Sequence, residues 1–144
     1  MMVAEFQLAA VKTFYNTQPE WCRVPLLMLR EWIFEAGGDN PTIGAISEEM
    51  AWGQPSYVTQ ETKTGTPLRL GKFDNENIGV YFQHHTRLAA CYHAAYGDVV
   101  RVHDRGVMVL APDIMAIETT IRHCITLGLT YHLWDAAEQA ELSK

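Results

Sequence analysis

The stretch Glu48-Glu49-Met50-Ala51-Trp52-Gly53-Gln54-Pro55-Ser56-Tyr57 decides how the chain is to be read. It joins an N-terminal region of helical periodicity to a middle region of strand-like alternation. Gly53 admits a positive φ, Pro55 fixes its own φ, and Gln54 before proline is pushed toward extended geometry. Such a bend turns Trp52 into the core and starts a strand near Tyr57, so the box reads as a helix-to-sheet corner. A second reading has Trp52 and Tyr57 wall a ligand pocket with converging polar tips.

Upstream of the box, Val3, Phe6, Ala10 and Phe14 recur at helical spacing and predict a short amphipathic helix from Val3 to Tyr15. Thr17-Gln18-Pro19-Glu20 has the spacing of a capping box, with proline in the first turn where its missing N–H costs little. A second helix is expected from Pro19 to Ala36. Trp21, Val24, Leu27, Met28, Trp32, Ile33 and Phe34 leave little of its surface polar. Pro25 kinks it or marks its start, and Gly37-Gly38-Asp39-Asn40-Pro41 ends it. Ile43 to Met50 then adds one or two helical turns.

Downstream, the period changes to two. Ser56 to Thr62 is rich in strand formers, and Lys63-Thr64-Gly65 is a turn. Pro67 to Phe73 places Leu68 and Leu70 on one face and Arg69 on the other. After the turn Asp74-Asn75-Glu76-Asn77, Ile78, Val80 and Phe82 alternate with Gly79, Tyr81 and Gln83. Thr86 to Tyr96 is expected to be a short helix closed by Gly97. Val99 to His103 and Val107 to Ala111 are strands joined by the tight turn Asp104-Arg105-Gly106. Ile114, Ile117, Ile121 and Ile125 make the buried stripe of a last long helix starting at Pro112-Asp113, with Glu118 and Arg122 paired on its exposed side. Gly128 ends or bends that helix, and Thr130 to Leu142 continues as helix or docked tail. The sum is an α+β, two-layer domain: about five antiparallel strands, covered by N- and C-terminal helices, with a short helix inserted.

A chain of 144 residues fits one domain over residues 1–144 and is long enough to bury a core. Eleven Lys and Arg against 17 Asp and Glu give a formal charge of −6, and no basic run stands out, which argues against nucleic acid and against a membrane surface as partner. Cys22, Cys91 and Cys124 are far apart with no C-x-x-C pair, so free thiols in a reducing cytoplasm are expected. The first residues lack the charged and apolar blocks of a signal peptide, and no apolar run reaches membrane-spanning length.

Catalytic signatures are missing. There is no G-x-S-x-G, H-E-x-x-H, phosphate-binding loop or dinucleotide fingerprint. The histidines His84, His85, His93, His103, His123 and His132 show no i,i+2 or i,i+4 pair to hold a metal, although folding can still join distant ones such as His84 and His132. Arg69, Tyr81, Arg105 and the pair Tyr131-His132 carry polar chemistry close to core elements. If Arg69, Tyr81 and Arg105 share a sheet face, their donors suit a carboxylate or phosphate; otherwise each arginine anchors a turn or a carboxylate such as Asp104 or Glu49.

With these residues in view, the chain resembles the bacterial YdhG-like domain family. The resemblance rests on Pro19, Arg23 and Leu29-Arg30, on Glu49-x-x-Trp52-Gly53-Gln54-Pro55-Ser56-Tyr57, on Gly65-Thr66-Pro67-Leu68-Arg69, on Tyr81-Phe82-x-x-x-Thr86, on Arg105-Gly106-Val107 and on Leu129-Thr130-Tyr131-His132. It implies an α+β fold related to frataxin, and through the members labelled iron chaperones it implies iron as a ligand. The carboxylate ridge of frataxins is not reproduced, because the first helix holds only Glu5 while Glu20, Glu31 and Glu35 are dispersed along the second.

The expected function is therefore a non-enzymatic binding domain. It would take a small anionic or metal-bearing ligand in a pocket built from Trp52, Tyr57, Arg69, His84, Arg105 and His132, with Tyr81 and Tyr131 beside it. A homodimeric interaction module is the alternative, motivated by the tryptophans of the second helix. An enzyme using His84 or His132 as general base is a further one.

Overall fold

The computed structural model describes residues 4–103 and 105–142. In chain order these form α1 (Ala9–Thr17), α2 (Glu20–Asp39), β1 (Ser47–Ala51), β2 (Gln54–Val58), β3 (Leu68–Lys72), β4 (Ile78–Tyr81), α3 (Leu88–Tyr96), β5 (Arg101–His103) and β6 (Val107–Leu110). A 3-10 turn (Ile114–Ile117) leads into α4 (Glu118–Leu129), followed by α5 (Tyr131–Leu142). The strands make one antiparallel sheet of six in the order β1-β2-β3-β4-β6-β5. The two-layer α+β architecture expected from the sequence is present, with one strand more.

The extra strand is β1. Ser47 to Ala51 pairs residue for residue with Val58 to Gln54, so the expected helical turns before Met50 are a strand. Two neighbours override the helical reading. The register puts Glu48 beside Tyr57, and the chain reverses in two residues, Trp52 and Gly53, both at positive φ (55° and 76°) as in a type I′ hairpin turn. The WGQPSY box is thus a hairpin rather than a helix-to-sheet corner. Trp52 stands at its tip, 89% exposed, and Tyr57 lies inside β2 instead of opening it.

Alternation sorts the strands into two faces. Tyr57, Leu68, Leu70, Ile78, Val80, Phe82, Met108 and Leu110 are buried in one core with Leu26, Leu29 and Ile33 of α2, Tyr92 of α3 and Ile121 and Ile125 of α4. Each such side chain contributes about 1.5–3 kcal/mol by leaving water. Edge-on ring contacts join the layers: Phe34 meets Tyr57 at 5.8 Å, and Phe82 meets Tyr92 at 5.4 Å. Ser56, Arg69, Gly71, Gly79, Tyr81, Val107 and Val109 have the opposite parity, on the face away from these helices.

The helices depart from expectation at their ends. α1 starts at Ala9, not near Val3, which lies outside the described residues. Ala4 to Phe6 form instead an extended strap: the Ala4 and Glu5 carbonyls accept from Arg30 at 2.6 and 3.2 Å, and the Ala4 N–H donates to Glu31. α2 runs through Pro25 and through Gly37 to Asp39. Pro25 lies in the second turn, past the four unpaired N–H groups of the helix start, so its missing N–H costs the helix one bond, to the Trp21 carbonyl. Gly37 is required because the returning loop crosses it: a Cβ would lie 2.5 Å from the Gly44 carbonyl oxygen. Asp104 of the expected β5–β6 turn lies outside the described residues.

Candidate functional site

The face without helices carries a depression of about 410 Å3 over Arg69, lined by Trp52, Arg69, Phe82, Gln83, His84, His85 and Arg105. That volume is within the range of small-molecule sites. Four sequence-selected residues, Trp52, Arg69, His84 and Arg105, meet there although they come from four separate segments of the chain.

Arg69 sits in a row across the sheet, paired with Ser56 on β2 and Tyr81 on β4. Its Nη1 donates to the Gln54 side-chain oxygen at 2.8 Å, and its Cζ lies 5.7 Å from the centre of the Tyr81 ring. Burial lowers its pKa, and the neighbouring Tyr81 phenol acts in the opposite sense. An arginine remains cationic under any such shift. Among the described residues no carboxylate lies within ion-pair distance of Arg69 or Arg105, so neither anchors Glu49.

Arg105 is placed by its neighbour. Gly106 adopts φ 90°, and a Cβ on it would stand 2.4 Å from the Phe82 carbonyl oxygen and 3.2 Å from the His84 nitrogen. The Phe82 N–H donates to the Gly106 carbonyl at 2.8 Å, tying the β5–β6 turn onto the segment that leaves β4. This close approach brings the exposed Arg105 beside the exposed His84 and His85, whose rings meet edge to face at 6.0 Å. Trp52 closes the opposite side from the tip of the β1–β2 hairpin.

Tyr81 borders the depression without lining it. Its ring lies back across Gly79, where a Cβ would come within 2.9 Å of it, and its hydroxyl donates to the Lys72 carbonyl at 3.0 Å. The other three sequence-selected residues are elsewhere. Tyr57 faces the helices, where its hydroxyl donates to Glu48 at 2.7 Å and accepts from Tyr15 at 2.5 Å. Tyr131 is buried at the start of α5, accepting from the Arg87 N–H at 2.9 Å and packed against Trp134 at 4.8 Å. His132 is exposed beside it, held by its backbone N–H on the Thr64 carbonyl. The expected pocket therefore loses Tyr57 and His132 and gains Phe82, Gln83 and His85. The signal for Gln83 was its parity with Tyr81, and for His85 its adjacency to His84.

The tryptophans that suggested a dimer find room within one chain. Trp32 is 5% exposed under the Arg122 guanidinium, and Trp21 is half-buried against the core. The three cysteines are free, and burial pushes the Cys124 thiol up to about 12. Among the described residues no group of three or more His, Cys, Asp or Glu is placed to hold a metal ion, and no helix is long and apolar enough to cross a membrane.

Comparison with protein-family models, with curated proteins and with solved structures gives no match, so the likeness to YdhG-like domains stands on the quoted residues alone.

Proposed function

We propose that this domain binds a small anionic ligand in the depression over Arg69, and that it does so as a binding protein rather than through a reaction. One observation carries the reading: two guanidinium groups, Arg69 and Arg105, line a single concavity, and among the described residues no acidic side chain lines it with them. The chain as a whole carries a formal charge of −6, so a lining whose described charged residues are both arginines is a local reversal of sign. A half-buried arginine without a counter-charge gains from an oxyanion that replaces its lost water.

The lining favours an anion over a bare metal cation. His84 and His85 supply nitrogen ligands, but the arginines beside them repel a free cation and no carboxylate offsets that repulsion. Iron would enter this site only within an anionic complex.

The expected strength follows from the contacts. Two charge-assisted hydrogen-bonding groups at about 1.5–3 kcal/mol each place inorganic phosphate roughly between several millimolar and tens of micromolar. Titration calorimetry with phosphate at low salt should show this binding in the native chain. Arg69→Gln and Arg105→Gln should each weaken it about tenfold or more. Heats no larger than dilution in the native chain would remove the reading.

A further inference from the structure

The depression is one end of a longer surface. On the helix-free face, the row Arg69, Tyr81, Val107, His103 runs from β3 to β5, and the row Gly71, Gly79, Val109, Arg101 runs beside it. The two glycines leave space that long side chains fill by lying down. The Tyr81 ring crosses Gly79, and the Gln54 amide lies over Gly71, where a Cβ would be 2.5 Å from Nε2. Phe73, just past β3, is half-buried, with the His103 ring 5.6 Å away and the Arg101 Cζ 5.6 Å from its centre. Val107 and Val109 are nearly closed off from solvent at 4% and 5% exposure.

Two aromatic rings therefore rest on an open antiparallel sheet, each with a guanidinium beside it: Tyr81 with Arg69 and Phe73 with Arg101. Trp52 and Arg105 extend the same pairing of aromatic and cation into the depression. Of the described strand residues with this parity only Glu49 is acidic, and Asp74 of the β3–β4 turn is the one further carboxylate that acts on Arg101 and Tyr81. The sequence shows no basic run because these arginines lie on β3, on β5 and in the β5–β6 turn, and only pairing assembles them.

We infer that this face binds a short single-stranded segment of RNA, with bases stacked on Tyr81 and Phe73 and phosphates held by Arg69, Arg101 and Arg105. The inference rests on the reading that the depression takes an oxyanion, here a backbone phosphate. Every base offers a π-face, so aromatic rings beside a cationic track suit an unpaired strand. A duplex hides its bases and brings a denser negative charge toward an acidic protein. RNA is the class chosen because it presents unpaired bases in loops, bulges and ends.

Fluorescence anisotropy with a labelled oligo-U of about 12 nucleotides, at about 50 mM salt, tests this, with calorimetry on inorganic phosphate in parallel. The expected result is binding at least tenfold tighter than phosphate. Its affinity should fall with salt at a logarithmic slope near −2, as three phosphate contacts at roughly −0.7 each imply. Tyr81→Leu and Phe73→Leu keep an apolar cover over the valines and should each weaken the oligomer about fivefold or more. Tyr81→Phe should retain the native affinity for the oligomer, and phosphate binding should be unchanged in Phe73→Leu, whose ring lies outside the depression. Phosphate binding without tighter oligomer binding would overturn the RNA assignment and leave the anion site standing; absence of both would overturn the two together. Equal affinity for a duplex, tighter binding of oligo-dT than of oligo-U, or indifference to both leucine variants would each overturn the stacked-strand inference.

Discussion

Arg30 and Glu48 form an ion pair closed to water on the helical side of the sheet, with Nε donating to Oε2 at 2.5 Å and Nη2 to Oε1 at 3.0 Å. Their side chains are 0% and 4% exposed. The same guanidinium donates to the Ala4 and Glu5 carbonyls and lies 4.2 Å from the centre of the Phe6 ring, so it also holds the N-terminal strap. Glu48 in turn accepts from Tyr57, which accepts from Tyr15. One buried network thus joins α1, α2, β1, β2 and the strap.

Removing one partner of a buried pair leaves the other uncompensated, at a cost of about 3–5 kcal/mol. Arg30→Met should lose that much in urea denaturation, and Glu48→Gln somewhat less because its amide still accepts from Tyr57. The double variant should lose less than the sum of the single ones. Strict additivity would show that the two residues do not act as a pair.

Stability should fall in alkali. Burial, first of all, raises the Tyr15 and Tyr57 phenols far above the usual tyrosine range, and each is pushed further by the nearby Glu48 carboxylate; burial does the same to Tyr92. The unfolded chain releases these protons near pH 10 whereas the folded chain keeps them. Their contribution is therefore complete below about pH 10 and is lost as pH rises above it, by about 1.4 kcal/mol per pH unit for each phenol. Denaturation curves collected from pH 8 to 11 check the slope. Tyr57→Phe, with one buried phenol fewer, should be less steep; an unchanged slope would contradict the assignment.

Trp52 is held at φ 55° at the tip of its hairpin. A left-handed conformation costs a non-glycine residue about 1–2 kcal/mol, and asparagine tolerates it best. Trp52→Asn should therefore raise stability by about 1 kcal/mol while weakening the ligand over Arg69. Thermal unfolding and phosphate calorimetry on the one variant read both effects. A loss of stability would mean that the indole packs against the fold rather than serving the depression.

The same residue shows where sequence reading stops. Asn-Gly is the strong signal for a two-residue hairpin, and Trp-Gly hides it, because a tryptophan is ordinarily a core residue. With the turn hidden, Ser47 to Ala51 loses its partner strand and reads as helix. β3 and β4 were legible because Leu68 and Leu70, and Ile78 and Val80, mark a period of two between clear turns, and β6 because Val107 to Leu110 is a short apolar run beside one. The site was legible in part for the same reason: Arg69 and Tyr81 have outward parity in strands bounded by clear turns. Their meeting with Trp52 and Arg105 depends on strand order, and Tyr57 was misplaced because its hydroxyl satisfies a buried carboxylate instead of a ligand. Tyr131 and His132 looked functional as polar groups close to core elements, whereas the tyrosine caps a packing contact between α3 and α5.

Gly106 links backbone conformation to the site more tightly than any lining residue does. Gly106→Ala imposes the left-handed cost of about 1–2 kcal/mol, and its Cβ also meets backbone that cannot turn aside. The nearest atom is the Phe82 carbonyl oxygen at 2.4 Å, so relief requires the β5–β6 turn to lift from the segment after β4. That movement carries Arg105 away from His84 and Arg69. Denaturation should show a loss of at least about 1–2 kcal/mol, and phosphate affinity should fall as far as it does in Arg105→Gln. The comparison separates two origins of weakened binding. Arg105→Gln removes the charge and leaves the turn in place, so it should cost affinity with little stability, while Gly106→Ala should cost both. Native affinity in a destabilised Gly106→Ala would show that the position of Arg105 does not matter to the anion.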